Sequence, residues 1–277
     1  MRIASFKLKA ESPTEEAIST SDIANTERRH FLRAGAMSVM GLTASSEFTQ
    51  AASGPALKAL AIDGLAVFDL RPVSALVERL FPGRSAALLP LWRARQFEYS
   101  WLRTLMGRYV DFWQVSEEAL VFAASQLEVE LRAAQRSEVM QSFLALKAWP
   151  DVRPALTVLR DAGIRLAFLS NFTERMLEAA SANSGIGDLL EPHLSTDRVQ
   201  AYKPHPRAYQ MGLDSFGLPR DNIGFVAFGG WDASGAKAFG YPTFWINRAQ
   251  QATEQLGAAP DAQGKTFEAL VAWALHR

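Results

Sequence analysis

Leu57-Lys58-Ala59-Leu60-Ala61-Ile62 is a compact apolar run that stops at Asp63. A short unbroken run of this kind reads as a strand buried on both faces, which is the setting of a parallel sheet. The pattern returns after Trp149-Pro150. Asp151–Ala162 has helical spacing and is closed by Gly163, and Ile164–Leu169 is a strand ending at Ser170-Asn171. Thr173–Asn183 is a helix with Thr173 as its N-cap, and His193-Leu194-Ser195 is a short strand. Lys203-Pro204 leads into a helix from Pro206 to Phe216. Ile223–Phe228 reads as a strand, Asp232–Phe239 as a helix, Pro242–Ile246 as a strand and Thr266–His276 as the last helix.

Between the first strand and Trp149 the alternation stops. An amphipathic helix is expected from Pro72 to about Leu80. Residues 86–147 contain no strand-like run, and helical spacing is clearest over Leu91–Met106 and Glu117–Leu131. The chain is therefore of the α/β class, a parallel sheet with helices on both faces, interrupted by a helical insert. The division expected is a sheet core from residues 55–85 and 148–277, with a helical cap at 86–147.

Composition removes several kinds of chemistry. There are 29 basic and 29 acidic residues, a balance that argues against a nucleic-acid partner. With no Cys, disulfides, thiolate nucleophiles and Cys-ligated metals are excluded, and with 4 His a histidine metal cage is not expected. No apolar run reaches the ~18 residues of a membrane span. Residues 1–54 differ from the rest, with Arg28-Arg29-His30-Phe31-Leu32-Arg33 ahead of a weakly apolar run and then small polar residues. Paired arginines before a modest apolar core resemble a twin-arginine export signal and linker, which implies a periplasmic location; the alternative is a cytoplasmic chain with a chance Arg-Arg pair.

In open parallel sheets, ligands sit beyond the carboxyl ends of the strands. The polar residues that fall there are Asp63, Ser170, Asn171 and Asp232, and Lys203 joins them just before a helix. Each also has a plainer reading, as a helix cap or a loop-ordering group. The convergence of separate segments on one edge is what favours a site.

These residues carry a family resemblance. Ala61-Ile62-Asp63 with Phe68-Asp69, Trp92-Arg93-Ala94-Arg95-Gln96-Phe97-Glu98-Tyr99, and Trp101-Leu102-Arg103-Thr104-Leu105-Met106 occur in order. They are followed by Leu169-Ser170-Asn171, Tyr202-Lys203-Pro204 with Tyr209, Gly230-Trp231-Asp232 and Trp245-Ile246-Asn247-Arg248. From about residue 57 onward the chain resembles the haloacid dehalogenase superfamily, in its branch acting on L-2-haloacids. The resemblance implies a Rossmann-like core with a helical cap, and hydrolysis through an aspartyl ester without metal or organic cofactor. It implies Asp63 as nucleophile, Lys203 as the cation that steadies it, and Asp232 as the group that orients Lys203 and helps place water. Ser170 and Asn171 would hold the substrate carboxylate, and Arg93 would cover the substrate and receive the halide. Phe97, Phe112 and Trp231 would wall the pocket, with Tyr209 a supporting hydrogen-bond partner. Family members are often homodimers, although no interface can be read from these residues.

The chain also departs from the family pattern. The first loop normally runs Asp, two residues, Gly, Thr, Leu, Phe, Asp, whereas Asp63-Gly64-Leu65-Ala66-Val67-Phe68-Asp69 is one residue shorter and has Ala66 in place of Thr. The Ser-x-Asn-x-Trp-Asp segment has become Ala227-Phe228-Gly229-Gly230-Trp231-Asp232. The alternative these losses raise is an impaired dehalogenase fold that binds a small carboxylate or a protein partner. A magnesium phosphatase of the same superfamily is disfavoured, because Leu65 stands where its second Asp belongs.

Overall fold

A computed structural model describes residues 56–277, so the proposed export segment lies outside the described residues. Six parallel strands form one sheet in the order β3-β2-β1-β4-β5-β6. They span Ala59–Ile62 (β1), Arg165–Ser170 (β2), Leu194–Ser195 (β3), Ile223–Ala227 (β4), Thr243–Ile246 (β5) and Ala262–Gly264 (β6). The expected α/β class is therefore observed, and the order is that of doubly wound Rossmann sheets. β1 sits at the centre, with Ala61 level with Ala167 of β2 and Phe225 of β4. Its four residues are all fully buried, which is why they read as an unbroken apolar run.

The strand order reverses direction at β1, so a crevice opens at the carboxyl ends of β1 and β4. Asp63 follows β1 directly and Ser170 ends β2, so the predicted polar residues lie on this edge. A single helical turn, Gly64–Val67 (α1), follows Asp63. The chain then crosses into the helical insert and comes back beside its own exit. Phe68 bridges Ala148 in antiparallel fashion, Asp69 N donates to Lys147 O at 2.9 Å, and Trp149 N donates to Val67 O at 3.0 Å.

Helices Arg71–Leu80 (α2), Ser85–Leu105 (α3), Phe112–Gln126 (α4) and Ala133–Gln141 (α5) lie between these crossings. α3 carries Pro90 within its first turns and continues through it. α4 starts and ends earlier than the spacing of Glu117–Leu131 predicts. Asp111 fixes its start by accepting from Gln114 N at 2.8 Å, and Glu128, at φ 52°, follows its end. α5 lies inside the helical stretch expected over 86–147, but the sequence gives it no bounds, because its apolar residues make only a narrow stripe, with Val139 and Met140 buried.

The remaining helices are Val152–Asp161 (α6), Glu174–Ser184 (α7), Pro206–Phe216 (α8), Gly230–Phe239 (α9) and Phe267–Leu275 (α10). Thr173 caps α7 as predicted, accepting from Met176 N at 3.2 Å. α9 begins two residues earlier than expected, so Asp232 lies inside its first turn and Gly229 is the cap residue. The sheet divides the core into two apolar layers. One runs from Leu60 and Ile62 through Phe168 and Phe172 into the insert around Trp92, Phe112 and Phe143. The other gathers Tyr209, Phe225, Tyr241 and Trp245 under α8 and α9.

Candidate active site

Asp63 is 3% exposed, and its position follows from β1 being pinned on both sides. Its backbone N–H donates to Val226 O at 2.9 Å, which fixes the turn that projects the carboxylate. The carboxylate does not cap α1, so the plainer reading of Asp63 as a helix cap fails. Instead Ser170 Oγ donates to Asp63 Oδ1 at 3.0 Å, and Lys203 Nζ lies 3.1 Å from the same oxygen. Oδ2 takes no hydrogen bond among the described residues. One oxygen is therefore held while the other keeps its lone pairs for an electrophile.

Lys203 is 1% exposed and its ammonium contacts two carboxylates, Asp63 Oδ1 at 3.1 Å and Asp232 Oδ2 at 2.7 Å. The ring of Phe225 lies below it, 5.0 Å from the ammonium to the centroid. Burial works against the charge on Lys203, but Asp232 and Asp63 together outweigh it and hold its pKa above the ordinary value. Burial lifts the Asp232 carboxyl to about 6, opposed by Lys203 and reinforced by the neighbouring Asp63 charge. Tyr209 donates to Asp232 Oδ1 at 2.8 Å. Burial and the Asp232 charge keep this phenol protonated, so it remains a donor. The loop carrying Lys203 is tied across the edge by Asn171, whose Oδ1 accepts from Lys203 N at 3.1 Å. Ser170 Oγ also accepts from Phe172 N at 3.2 Å, which fixes the direction in which its proton points.

Arg93, Phe97 and Trp101 recur every fourth residue on α3, beside the buried stripe of Leu88, Trp92, Gln96 and Ser100 that faces the core. Arg93, Phe97 and Phe112 line a small, partly open space of about 30 Å³ together with Leu65, Phe172 and Phe228. Among the described residues Arg93 makes no ion pair. Surrounding protein lowers its pKa by desolvation, although the residue keeps exposed surface, and an arginine remains charged through this shift. Trp231 lies outside this lining. Its ring packs 5.2 Å from Phe97 and 5.4 Å from Trp101, so it joins α9 to the insert rather than walling the space.

Two of the sequence departures have a structural consequence. A Cβ on Gly229 would stand 3.0 Å from Trp231 Nε1, so the indole folds back over the position where the family pattern carries Asn. A Cβ on Gly64 would stand 3.1 Å from Ser170 Oγ, so Gly64 permits the close approach of the shortened loop to β2. Sequence reasoning missed Leu65 and Phe228. The rule that located Asp63 and Asp232 also covers them, since both lie just beyond strands β1 and β4. No three His, Asp or Glu side chains gather into a possible metal site among the described residues.

Comparison with known proteins bears directly on this arrangement. The model of the hydrolase family described as haloacid dehalogenase-like hydrolase matches residues 30–240. This chain belongs to that family. Within it, the haloacetate dehalogenase H-2 of Moraxella sp. (strain B) is 40% identical over 205 residues, covering 74% of this chain and 92% of that protein. The (S)-2-haloacid dehalogenase of Pseudomonas sp. (strain YL) is also 40% identical over 205 residues, covering 74% of this chain and 88% of that protein. Among solved structures, the L-2-haloacid dehalogenase of Xanthobacter autotrophicus with chloropropionic acid covalently bound superposes with a TM-score of 0.73 at 31% identity. That match covers 78% of this chain and 97% of the other. The haloacid dehalogenase-like core and insert expected from the motifs are thus present over nearly the full length of these relatives.

Proposed function

We propose that this hydrolase cleaves the carbon–halogen bond of short L-2-haloacids through an ester on Asp63. The observation that carries the reading is the asymmetry of Asp63, with Oδ1 held by Ser170 and Lys203 and Oδ2 left without a donor among the described residues. A carboxylate is a weak nucleophile in water, and desolvation with a steering cation strengthens it. Oδ2 attacks the carbon beside the substrate carboxylate from the side opposite the halogen. The new C–O bond forms as the carbon–halogen bond breaks, and the halide leaves with the bonding pair. Configuration at that carbon inverts. Water then attacks the Asp63 carbonyl carbon, and the ester C–O bond at that carbon breaks. The products are the 2-hydroxy acid, a proton and the regenerated carboxylate.

Lys203 balances the charge on the carboxylate and on the tetrahedral intermediate of the second step. Asp232 and Tyr209 position Lys203 from behind, and Asp232 helps place the attacking water. Asn171, whose Oδ1 is already engaged, offers its amide N–H groups to the substrate carboxylate together with Ser170 and nearby backbone N–H groups. Arg93, at the cavity wall and without an ion pair among the described residues, receives the departing halide. Chloride release from L-2-chloropropionate, lost in Asp63→Asn once deamidation is excluded, is the expected result. Wild-type rates in that variant would overturn the assignment.

A second reading is favoured by Ala66, Ala227 and Gly229, which strip hydroxyl and amide groups from one side of Asp63. In that reading the chain binds a small carboxylate or a protein partner without turnover. Thermal stabilisation by 2-haloacids with no halide released would select it. The N-terminal segment supports export by the twin-arginine route to the periplasm. The expected mature protein begins beyond about Ala44 in an export-competent host, as read by N-terminal sequencing; full-length chain found only in the cytosol would reject it. A homodimer is proposed from the family habit, and a monomer mass by light scattering would reject that.

A further inference from the structure

Two spaces lie over the carboxyl edge of the sheet. The inner one is the small space of about 30 Å³ lined by Phe97 and Phe112. The outer one, about 360 Å³, opens beside the crossing into the insert and is lined by Arg71, Trp149, Ile246 and Arg248. Five residues border both: Leu65, Leu70, Ser74, Arg93 and Phe228. The two spaces therefore adjoin along these shared residues.

Two of these shared residues come from the places where this chain departs from its family pattern. Leu65 stands in the shortened turn after Asp63, and Phe228 stands between Ala227 and Gly229. Both are only partly buried, because their side chains face the spaces they border. Phe228 is held by its backbone, whose carbonyl accepts from Trp245 Nε1 at 2.9 Å. Truncating its side chain leaves that anchor intact. Size then becomes informative. A cavity of about 150 Å³ takes a benzene ring, whereas the inner space here is about 30 Å³. It has room for the smallest substituents only while Leu65 and Phe228 border it.

We propose that Leu65 and Phe228 form an apolar partition that sets substrate size, admitting haloacids with no more than a methyl group on the reacting carbon. This rests on the proposed dehalogenase reading and makes the two residues specificity determinants. Removing the Phe228 ring joins the inner space to the outer one and opens a channel for longer chains. Arg93 borders both spaces, so it can still meet an anion after they merge.

The test is a chain-length series on full-length wild type and Phe228→Ala. Halide release is measured from chloroacetate, L-2-chloropropionate, L-2-chlorobutyrate and L-2-chlorohexanoate. Each methylene that a pocket rejects costs roughly 10- to 200-fold in kcat/KM, so wild type should fall by at least about 10-fold from propionate to butyrate. Phe228→Ala should turn over the longer acids within a few-fold of its own rate on chloropropionate. A wild type that accepts chlorohexanoate as readily as chloroacetate overturns the partition, and so does a variant with the wild-type profile. Thermal unfolding with acetate, propionate, butyrate and hexanoate runs in parallel and needs no turnover. If no acid releases halide, the hydrolase reading fails, and the partition is judged by this arm alone. It stands if hexanoate stabilises Phe228→Ala but not wild type. It falls if hexanoate and acetate act alike on wild type, or if no carboxylate stabilises either protein.

Discussion

The two sides of Asp63 are built on different principles. On one side Ser170, Lys203, Asp232 and Tyr209 form a continuous chain of charge and hydrogen bonds through Asp63, with contacts of 2.7–3.1 Å. On the other, Leu65, Ala66, Ala227, Phe228 and Gly229 offer no side-chain donor at all. The polar side fixes the charge of the nucleophile, which any chemistry at Asp63 requires. The apolar side decides what may approach it and how well water is placed. A superfamily site can therefore lose one wall's hydrogen bonds and still keep an aimed carboxylate.

That contrast can be broken most severely at the polar side. Asp63→Asn and Lys203→Ala should each abolish halide release, a loss beyond about 10³-fold. Circular dichroism should accompany the Lys203 variant, since it leaves two buried carboxylates without their shared cation. Arg93→Ala should lower kcat/KM by about 10²-fold, the scale of one lost charge-stabilising group. Activity near wild type would remove the insert from the chemistry.

A smaller effect should appear with pH. Asp232 is held at about 6, so as pH falls through that value it gains a proton and Lys203 loses one of its two counter-charges. Halide release should drop on the acid side of about 6, and a profile flat down to the ordinary carboxylate range would contradict the coupling. Gly229→Asn sharpens the comparison from the apolar side. It should lower stability by about 1–3 kcal/mol through overpacking against the Trp231 indole, without a gain in rate. A faster Gly229→Asn enzyme would mean that the indole yields readily. EDTA should leave halide release unchanged; a magnesium requirement would move the chain toward phosphatase chemistry.

Much of this arrangement was legible in the sequence because burial on both faces leaves an unmistakable apolar run. β1, β2 and β4 announced themselves in that way, and the rule of the strand ends then located Asp63, Ser170 and Asp232. β6 was not legible, since Ala262–Gly264 is a three-residue edge strand held by backbone pairing to β5. The start of α4 was missed because Asp111 sets it through a cap rather than through apolar spacing. Lys203 could be placed at the edge, but not in contact with two carboxylates, because that depends on the loop tied by Asn171. The folding of Trp231 over Gly229 and the wall made by Leu65 and Phe228 were also hidden. Each depends on a side-chain direction at or just beyond a strand end, where Leu65 and Trp231 lie in the first turns of α1 and α9 and Phe228 lies in the connecting loop.

The central strand draws its partners from far along the chain, since Ala59 is level with Arg165 on one side and Ile223 on the other. The insert, by contrast, is made of local helices whose two ends meet at Phe68 and Ala148. During synthesis the helical unit can therefore take shape while β1 still waits for neighbours. Only when the residues of β4 have left the ribosome does Asp63 acquire its backbone anchor at Val226. The reactive group is encoded near the start of the described residues and is among the last of their parts to be assembled.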